Sequence, residues 1–417
     1  MSDEFTIEHA DILAIYDSRG RPTLQVTLGT TGARGHGIAP AGASRGRFEA
    51  HELRDPDGGV RTACARFTHE IEPRLLGMDS RDQSGIDRML IDLDGTPNRS
   101  RLGGNTLIAT SMAAAQLAAA ASQSPLWRYL AAQQPDSGLS MPLPEIQILG
   151  GGAHAGGRLP LQDFMVVPVG AADWPTALAW VAEVYHAAGR LMEDRGLLQG
   201  VADEGGFWPN FERCEEALDL LVRAIEAAGR RPFTEIAISL DIAANQFHRD
   251  GRYHIDGESL EPAAWVEKLL SWTRRYPIRM VEDPCAEEDT VHYAAFFEGF
   301  HQQGLVVGDD LVVSNADRIR QALVDGQINA ALIKPNQVGT LSEALAARRS
   351  CPAPIVSARS GETEDTCIVD LALGWHAPLI KVGSITRGER TAKWNRGLVI
   401  HHAQPLPLAR FPHPSVG

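Results

Sequence analysis

IAISLD, residues 236–241, is an apolar run that closes on a carboxylate. Five later segments share its form: IRMVE (278–282), LVVGD (305–309), AALIK (330–334), PIVSAR (354–359) and PLIK (378–381). Each is of buried-strand length, and each ends on a charged side chain: Asp241, Glu282, Asp309, Lys334, Arg359 and Lys381. These end residues are separated by 41, 27, 25, 25 and 22 positions. That spacing has room for a strand, a loop, a helix and a return loop. Repeated βα units of this kind predict an α/β chain built on a (β/α)8 barrel, with the strand-end residues converging at one mouth. A doubly wound open sheet is the alternative. It normally carries an early Gly-rich phosphate turn, and the cluster Gly150–Gly157 lacks the GxGxxG spacing.

Two of those six ends are lysine, in a chain with only four lysines (Lys268, Lys334, Lys381 and Lys393) among 39 basic residues. Arginine stays protonated in a protein, whereas lysine can give up its proton and act as a base. Lys334 and Lys381 are therefore candidate catalytic groups. Asp241, Glu282 and Asp309 end three consecutive strands and would form an all-oxygen cluster, which suits a hard cation such as Mg2+ better than zinc. Any one of them could simply cap the next helix. Three in a row, followed by two lysines, favour a site. Unpaired buried carboxylates are costly, so a cation is their natural partner. Metal ions and a lysine base together are one solution to removing a proton next to a carboxylate.

Elsewhere the sequence bounds the problem. The 417 residues are enough for two domains and a large core. A net charge of −14 makes nucleic acid and anionic membranes poor partners, while leaving room for an anionic substrate at a local cationic site. The five cysteines show no CxxC spacing, which points to a reducing, cytoplasmic setting rather than a disulfide framework or zinc site. MSDEFTIEHADIL at the start is acidic and lacks a signal-peptide apolar region. The Ala-rich stretch 109–121 is too short and polar to span a bilayer.

Residues 1–135 read as a small α+β domain and 140–417 as the barrel domain. DILAIYDSRGRPTLQVTL predicts two strands around the turn Ser18–Pro22, with a third strand near Gly35–Ile38. The alanine helix is expected to start at Asn105 as its N-cap. Gln133–Glu145 has linker composition.

Taken together, the chain resembles the enolase family nearly end to end. The matching stretches are DSRGRPT, AGASRGRFEAHELRD, IDLDGTPNRSRLGGN, LGGGAHAGG, QDFMVVPVGA, VADEGGFWPN, SLDIAANQF, YPIRMVEDPCAEED, GDDLVVSN, LIKPNQVGTL, SARSGETEDT and GERTAKWN. Racemases and cycloisomerases of the wider superfamily usually carry Lys-x-Lys on an early barrel strand, and no lysine precedes Lys268 here. The resemblance implies an enolase-like barrel behind a smaller N-terminal domain, and a homodimer. It implies Asp241, Glu282 and Asp309 as ligands of a tightly bound Mg2+, with Ser44 holding a second Mg2+ that arrives with substrate. It implies Lys334 as the base for the C2 proton and Lys381 as the partner of the substrate carboxylate. Glu204 would help the 3-hydroxyl leave, Asp163 would be a further catalytic residue, and Gln162 would contact the substrate. Arg359 and Ser360 would contact phosphate, and His154 would close over the substrate from a loop.

Several positions depart from the family pattern. Ala358 stands where enolases carry His, and Asp163 where they carry Glu. Arg45 replaces the usual Thr, Gly150 an Asn, and Asn245–Gln246 the usual Ser-Glu. The residues for proton abstraction are intact, so the pattern suggests altered substrate recognition rather than decay. Three functions compete. The first is an enolase-type hydro-lyase for a modified substrate, such as the carboxyphosphono analogue of 2-phosphoglycerate, giving carboxyphosphonoenolpyruvate in phosphonate antibiotic biosynthesis. Arg45 would then meet the added carboxylate. The second is glycolytic enolase making phosphoenolpyruvate. The third is a non-catalytic enolase-like binding protein.

Overall fold

A computed structural model describes residues 4–42, 46–134 and 138–412. Ser44 and Arg45 lie outside the described residues.

The N-terminal region is a three-stranded antiparallel sheet backed by helices. Strands β1 (His9–Tyr16) and β2 (Pro22–Gly29) pair in register from His9 opposite Gly29 to Tyr16 opposite Pro22. Strand β3 (Arg34–Ile38) adds to β2. Helix α1 (Gln83–Asp94) is followed by α2 (Gly104–Ala121), which is buried along nearly its whole length. Alanines allow that depth because they fill little space, and two glycines of β3 complete the fit. A Cβ at Gly35 would lie 2.2 Å from the Leu117 nitrogen, and one at Gly37 would lie 2.1 Å from the Ala109 oxygen. Sheet and helix can approach this closely only without those side chains. Asn105 is not the N-cap of α2; Gly103 occupies that place. The Asn105 amide instead accepts from the Leu53 N–H at 3.0 Å and donates to the Leu53 carbonyl at 3.2 Å, so its role is to pin a neighbouring loop.

The barrel begins earlier than linker composition suggested, because Leu143–Glu145 already belong to a strand. Its eight strands are β4 (Leu143–Gly150), β5 (Asp163–Val167), β8 (Ala237–Asp241), β9 (Ile278–Glu282), β10 (Leu305–Gly308), β11 (Ala330–Ile333), β12 (Pro354–Ser357) and β13 (Leu379–Ser384). They pair in that order, and β13 closes onto β4. A short hairpin, β6 (Leu198–Val201) and β7 (Phe207–Pro209), extends from β4.

One strand breaks the expected parallel repeat. Strand β5 runs antiparallel to both β4 and β8. Residues 151–162, between β4 and β5, hold only a 3-10 turn at Gly152–Ala155, too little chain for a helical crossover, so β4 and β5 form a hairpin. Helices α3 (Trp174–Glu193) and α4 (Cys214–Ala227) both follow β5. The regular alternation then sets in with α5 (Pro262–Arg275), α6 (Thr290–Phe300), α7 (Ala316–Val324), α8 (Leu341–Arg349), α9 (Cys367–Gly374) and α10 (Gly388–Ala403). Among the described residues, no helix is long and apolar enough to cross a membrane.

Candidate active site

Alternation along each strand sends every second side chain into the barrel. At the C-terminal ends of the parallel strands this puts Asp241, Glu282, Asp309, Lys334 and Lys381 around one mouth, all nearly buried except for Lys334, which is somewhat more accessible. Asp163 reaches the same mouth by the opposite route. It is the first residue of β5, and because β5 runs backwards its start lies at the mouth, opposite Asp241 in the ladder.

The lysines bind the carboxylates directly. Lys381 Nζ donates to Asp241 Oδ2 at 2.8 Å and to Glu282 Oε2 at 2.6 Å, and lies 3.9 Å from Asp163 Oδ2. Lys334 Nζ pairs with Asp309 Oδ2. Burial lowers the pKa of both lysines, but the carboxylates outweigh it, raising Lys334 and carrying Lys381 well above its ordinary value. Burial also acts on the acids. It pushes the Glu282 carboxyl well above the carboxylate range, helped by the charge on Asp241, whereas Asp309 is held low by Lys334 despite its burial.

A second polar group forms on the far side. His154 sits on the Gly152–Ala155 turn and is buried; it is neither solvent-exposed nor a packing residue of the apolar core. Its Nδ1 lies 3.0 Å from Asp163 Oδ1 and its Nε2 lies 3.8 Å from Glu204 Oε1. Burial disfavours the imidazolium, but Asp163 and Glu204 overcome this and raise its pKa to about 9. His154 is therefore a proton-bearing group at neutral pH. Gln147 Nε2 also donates to Asp163 Oδ1, and Gln147 Oε1 accepts from the Gly206 N–H at 2.7 Å. Gln162 Nε2 donates to Asp241 Oδ2 at 2.9 Å.

The third wall is cationic. Arg359 is buried and donates to Glu49 Oε2 and to Asn336 Oδ1, each at 3.0 Å, so the N-terminal region contributes a carboxylate to this mouth. Its neighbour Ser360 lines the same cavity, as does Ala358. Arg390, fully buried, fixes this segment by donating to the carbonyls of Arg359 and Val382, each at 2.8 Å, and of Ser360 at 2.5 Å.

Sequence reasoning missed Glu49, Glu145 and Gln147. Glu145 accepts from Ser239 Oγ at 2.5 Å beneath Lys381, its opposite number in the strand ladder, and burial pushes its carboxyl upward. The signal was present in LPEIQILG, where two polar residues alternate with apolar ones in a strand buried throughout.

The metal expectation can be tested on the donor set. Among the described residues, the trios whose ligand atoms lie within 4.8 Å of one another are His154, Asp163 and Glu204, and Asp283, Asp309 and Asp310. Asp241 and Glu282 are instead bridged by Lys381. Even so, Asp241, Glu282 and Asp309 offer only carboxylate oxygens, and the first two lie close enough together for one ammonium group to bridge them. A hard divalent cation fits that chemistry.

The enolase N-terminal domain family matches residues 7–130, and the enolase C-terminal TIM barrel domain family matches residues 138–404. The chain belongs to the enolase family. That membership makes it a lyase of the enolase superfamily, with a divalent metal, typically Mg2+, and small phosphorylated carboxylates as its substrate class. As a member of this family it combines the charged mouth with a small Ala358 in the cavity wall.

Proposed function

We propose that this enolase-family chain removes the C2 proton and then the 3-hydroxyl from a 2-phosphoglycerate-like substrate, and that its preferred substrate is the carboxyphosphono analogue. The observation that carries the reaction type is the pair of lysines set among Asp241, Glu282 and Asp309. These carboxylates would hold Mg2+, which when bound stabilises negative charge developing on the substrate carboxylate. With Asp309 and Glu282 so engaged, less would oppose the effect of burial at Lys334, and the amine would be freer to take a proton. Lys334 accepts the C2 proton, and the C–H electron pair becomes the C2–C3 double bond as the C3–O bond breaks. Glu204, beside the proton-bearing His154, supplies the proton with which hydroxide leaves as water. Lys381 orients the carboxylate, while Arg359 and Ser360 face the phosphorus group.

The substrate reading rests on Ala358 and Asp163. Where the family carries imidazole, the cavity wall here is a methyl group, which leaves room beside the phosphorus group. Asp163 is held back by Gln147 and His154. Arg45 would answer the added carboxylate with its planar fork. The test is kcat/KM of the purified, Mg2+-loaded protein for both compounds. The analogue is expected to lead by on the order of 10²-fold, and Arg45→Thr to narrow that lead by harming the analogue more. Ordinary efficiency with 2-phosphoglycerate and no turnover of the analogue would make the protein a glycolytic enolase. Turnover of neither compound would favour a non-catalytic role.

A further inference from the structure

The loop carrying His154 and the strand end carrying Asp241 are joined by an unbroken line of amide hydrogen bonds. Gln246 ends a short 3-10 turn, Ala244–Gln246, entered through Ala243 at φ +46°. Its Oε1 accepts from the Ala153 N–H at 3.0 Å. A main-chain N–H can only donate, so this contact decides which end of the Gln246 amide is oxygen. The other end, Nε2, donates to Gln162 Oε1 at 2.5 Å. Gln162 must therefore turn its own Nε2 toward Asp241, where it donates to Oδ2 at 2.9 Å. The Gln162 backbone is tied down, since its N–H donates to the Asp241 carbonyl at 3.1 Å and its carbonyl accepts from Gly151 at 2.8 Å. Only its side-chain amide is left to be set, and that amide lines the cavity.

We propose that Gln246 is a positioning residue that sets the polarity of the Gln162 amide, so that N–H rather than C=O faces Asp241 and the anionic substrate. The inference deepens the reading of this mouth as a Mg2+ and substrate site, and rests on it. A glutamate at this position, the family's usual residue, would still accept from Ala153 but would have no proton for Gln162. Gln162 would then turn over to donate to the new carboxylate, and its oxygen would meet the carboxylate of Asp241. Two acceptors cannot share that contact. A choice between amide and acid, one residue removed from the cavity wall, thus decides whether the wall presents a donor or an acceptor.

Two measurements on Gln246→Glu decide the matter. In its crystal structure the outer amide atom of Gln162 is expected to move out of hydrogen-bond range of Asp241 Oδ2, and a contact that stays near 2.9 Å overturns the proposal. In calorimetric titration of the substrate-free protein with MgCl2, Gln246→Glu is expected to bind about tenfold more tightly, since Asp241 is relieved of a competing donor. Placed in a Gln162→Met background, the same substitution should shift the affinity less than about twofold. Equal shifts in both backgrounds would mean that the new charge acts through space, and would also overturn the proposal. A parent protein that binds no Mg2+ would sink the proposed function, and the crystallographic comparison would then decide this inference alone.

Discussion

The two ends of the barrel interior share strands and little else. At the lower end Leu143, Met280, Val307, Leu332 and Leu379 belong to one apolar cluster, each at most 1% exposed. Two residues further along the same strands stand Glu145, Glu282, Asp309, Lys334 and Lys381. One step of the strand period separates a dry plug from a ring of buried charge. The lower end supplies stability, because each buried side chain gains on the order of 1.5–3 kcal/mol from leaving water. The upper end contributes little or nothing net, because desolvation of buried ions offsets their attraction. Stability and chemistry are therefore separable in this chain, layer by layer.

The sharpest way to break that contrast is to remove the cation. Chelation is expected to abolish turnover, and Mg2+ to restore it, while the thermal midpoint in chelator stays within the range set by loss of one bound ligand. Full turnover in chelator, or a normal rate from Asp241→Ala, would remove the metal from the proposed reaction. Next in size, Lys334→Ala should lose at least ~10^3-fold in kcat, since a general base is worth 10²–10⁴-fold and its charge is lost as well. Lys334→Arg should fail too, because Arg stays protonated. Solvent deuterium exchange at C2 that persists at the parent rate would assign the base elsewhere.

A third pair of variants tests the layers directly. Leu332→Ala should cost about 2–5 kcal/mol in denaturant unfolding by leaving a cavity. Glu282→Gln should cost clearly less than that while destroying activity, because Gln has nearly the same shape and can still accept from Lys381. Equal stability losses would mean that the charged ring also holds the fold together.

The smallest expected effect concerns pH. His154 has a raised pKa, so the stability of its pair with Asp163 is fully present below an unfolded value of about 6.5 and is lost as pH rises through about 9. The difference in thermal midpoint between the parent and His154→Gln should therefore shrink between pH 6.5 and 9.5. A difference that stays constant over this range would show that the ring is held by packing alone.

The strand-end rule made six residues of the mouth legible in the sequence, Arg359 among them, because a parallel strand delivers the residues at its C-terminal end to one face. It could not place Asp163, since a reversed strand delivers its first residue there, and only the family resemblance pointed to it. Glu145 and Gln147 escaped because linker composition extends as far as Glu145 and hides the strand that starts at Leu143, although their alternation marks the inward face. Glu49 escaped because nothing local in a loop shows that it reaches across to Arg359. Asn105 was misplaced as a cap because Asn is favoured at N-caps, and here a glycine at φ +93° takes that place.

Closure of β13 onto β4 also has a consequence for synthesis on the ribosome. Lys381 follows Asp241 by 140 residues and Glu282 by 99. The acids therefore leave the ribosome well before their lysine. A barrel without its final strand would leave the β4 edge short of a partner and Asp241 and Glu282 without Lys381. Like charges repel, which discourages that half-built mouth from collapsing and two such edges from pairing with each other. The last strand closes the ladder and in the same step sets Lys381 between Asp241 and Glu282.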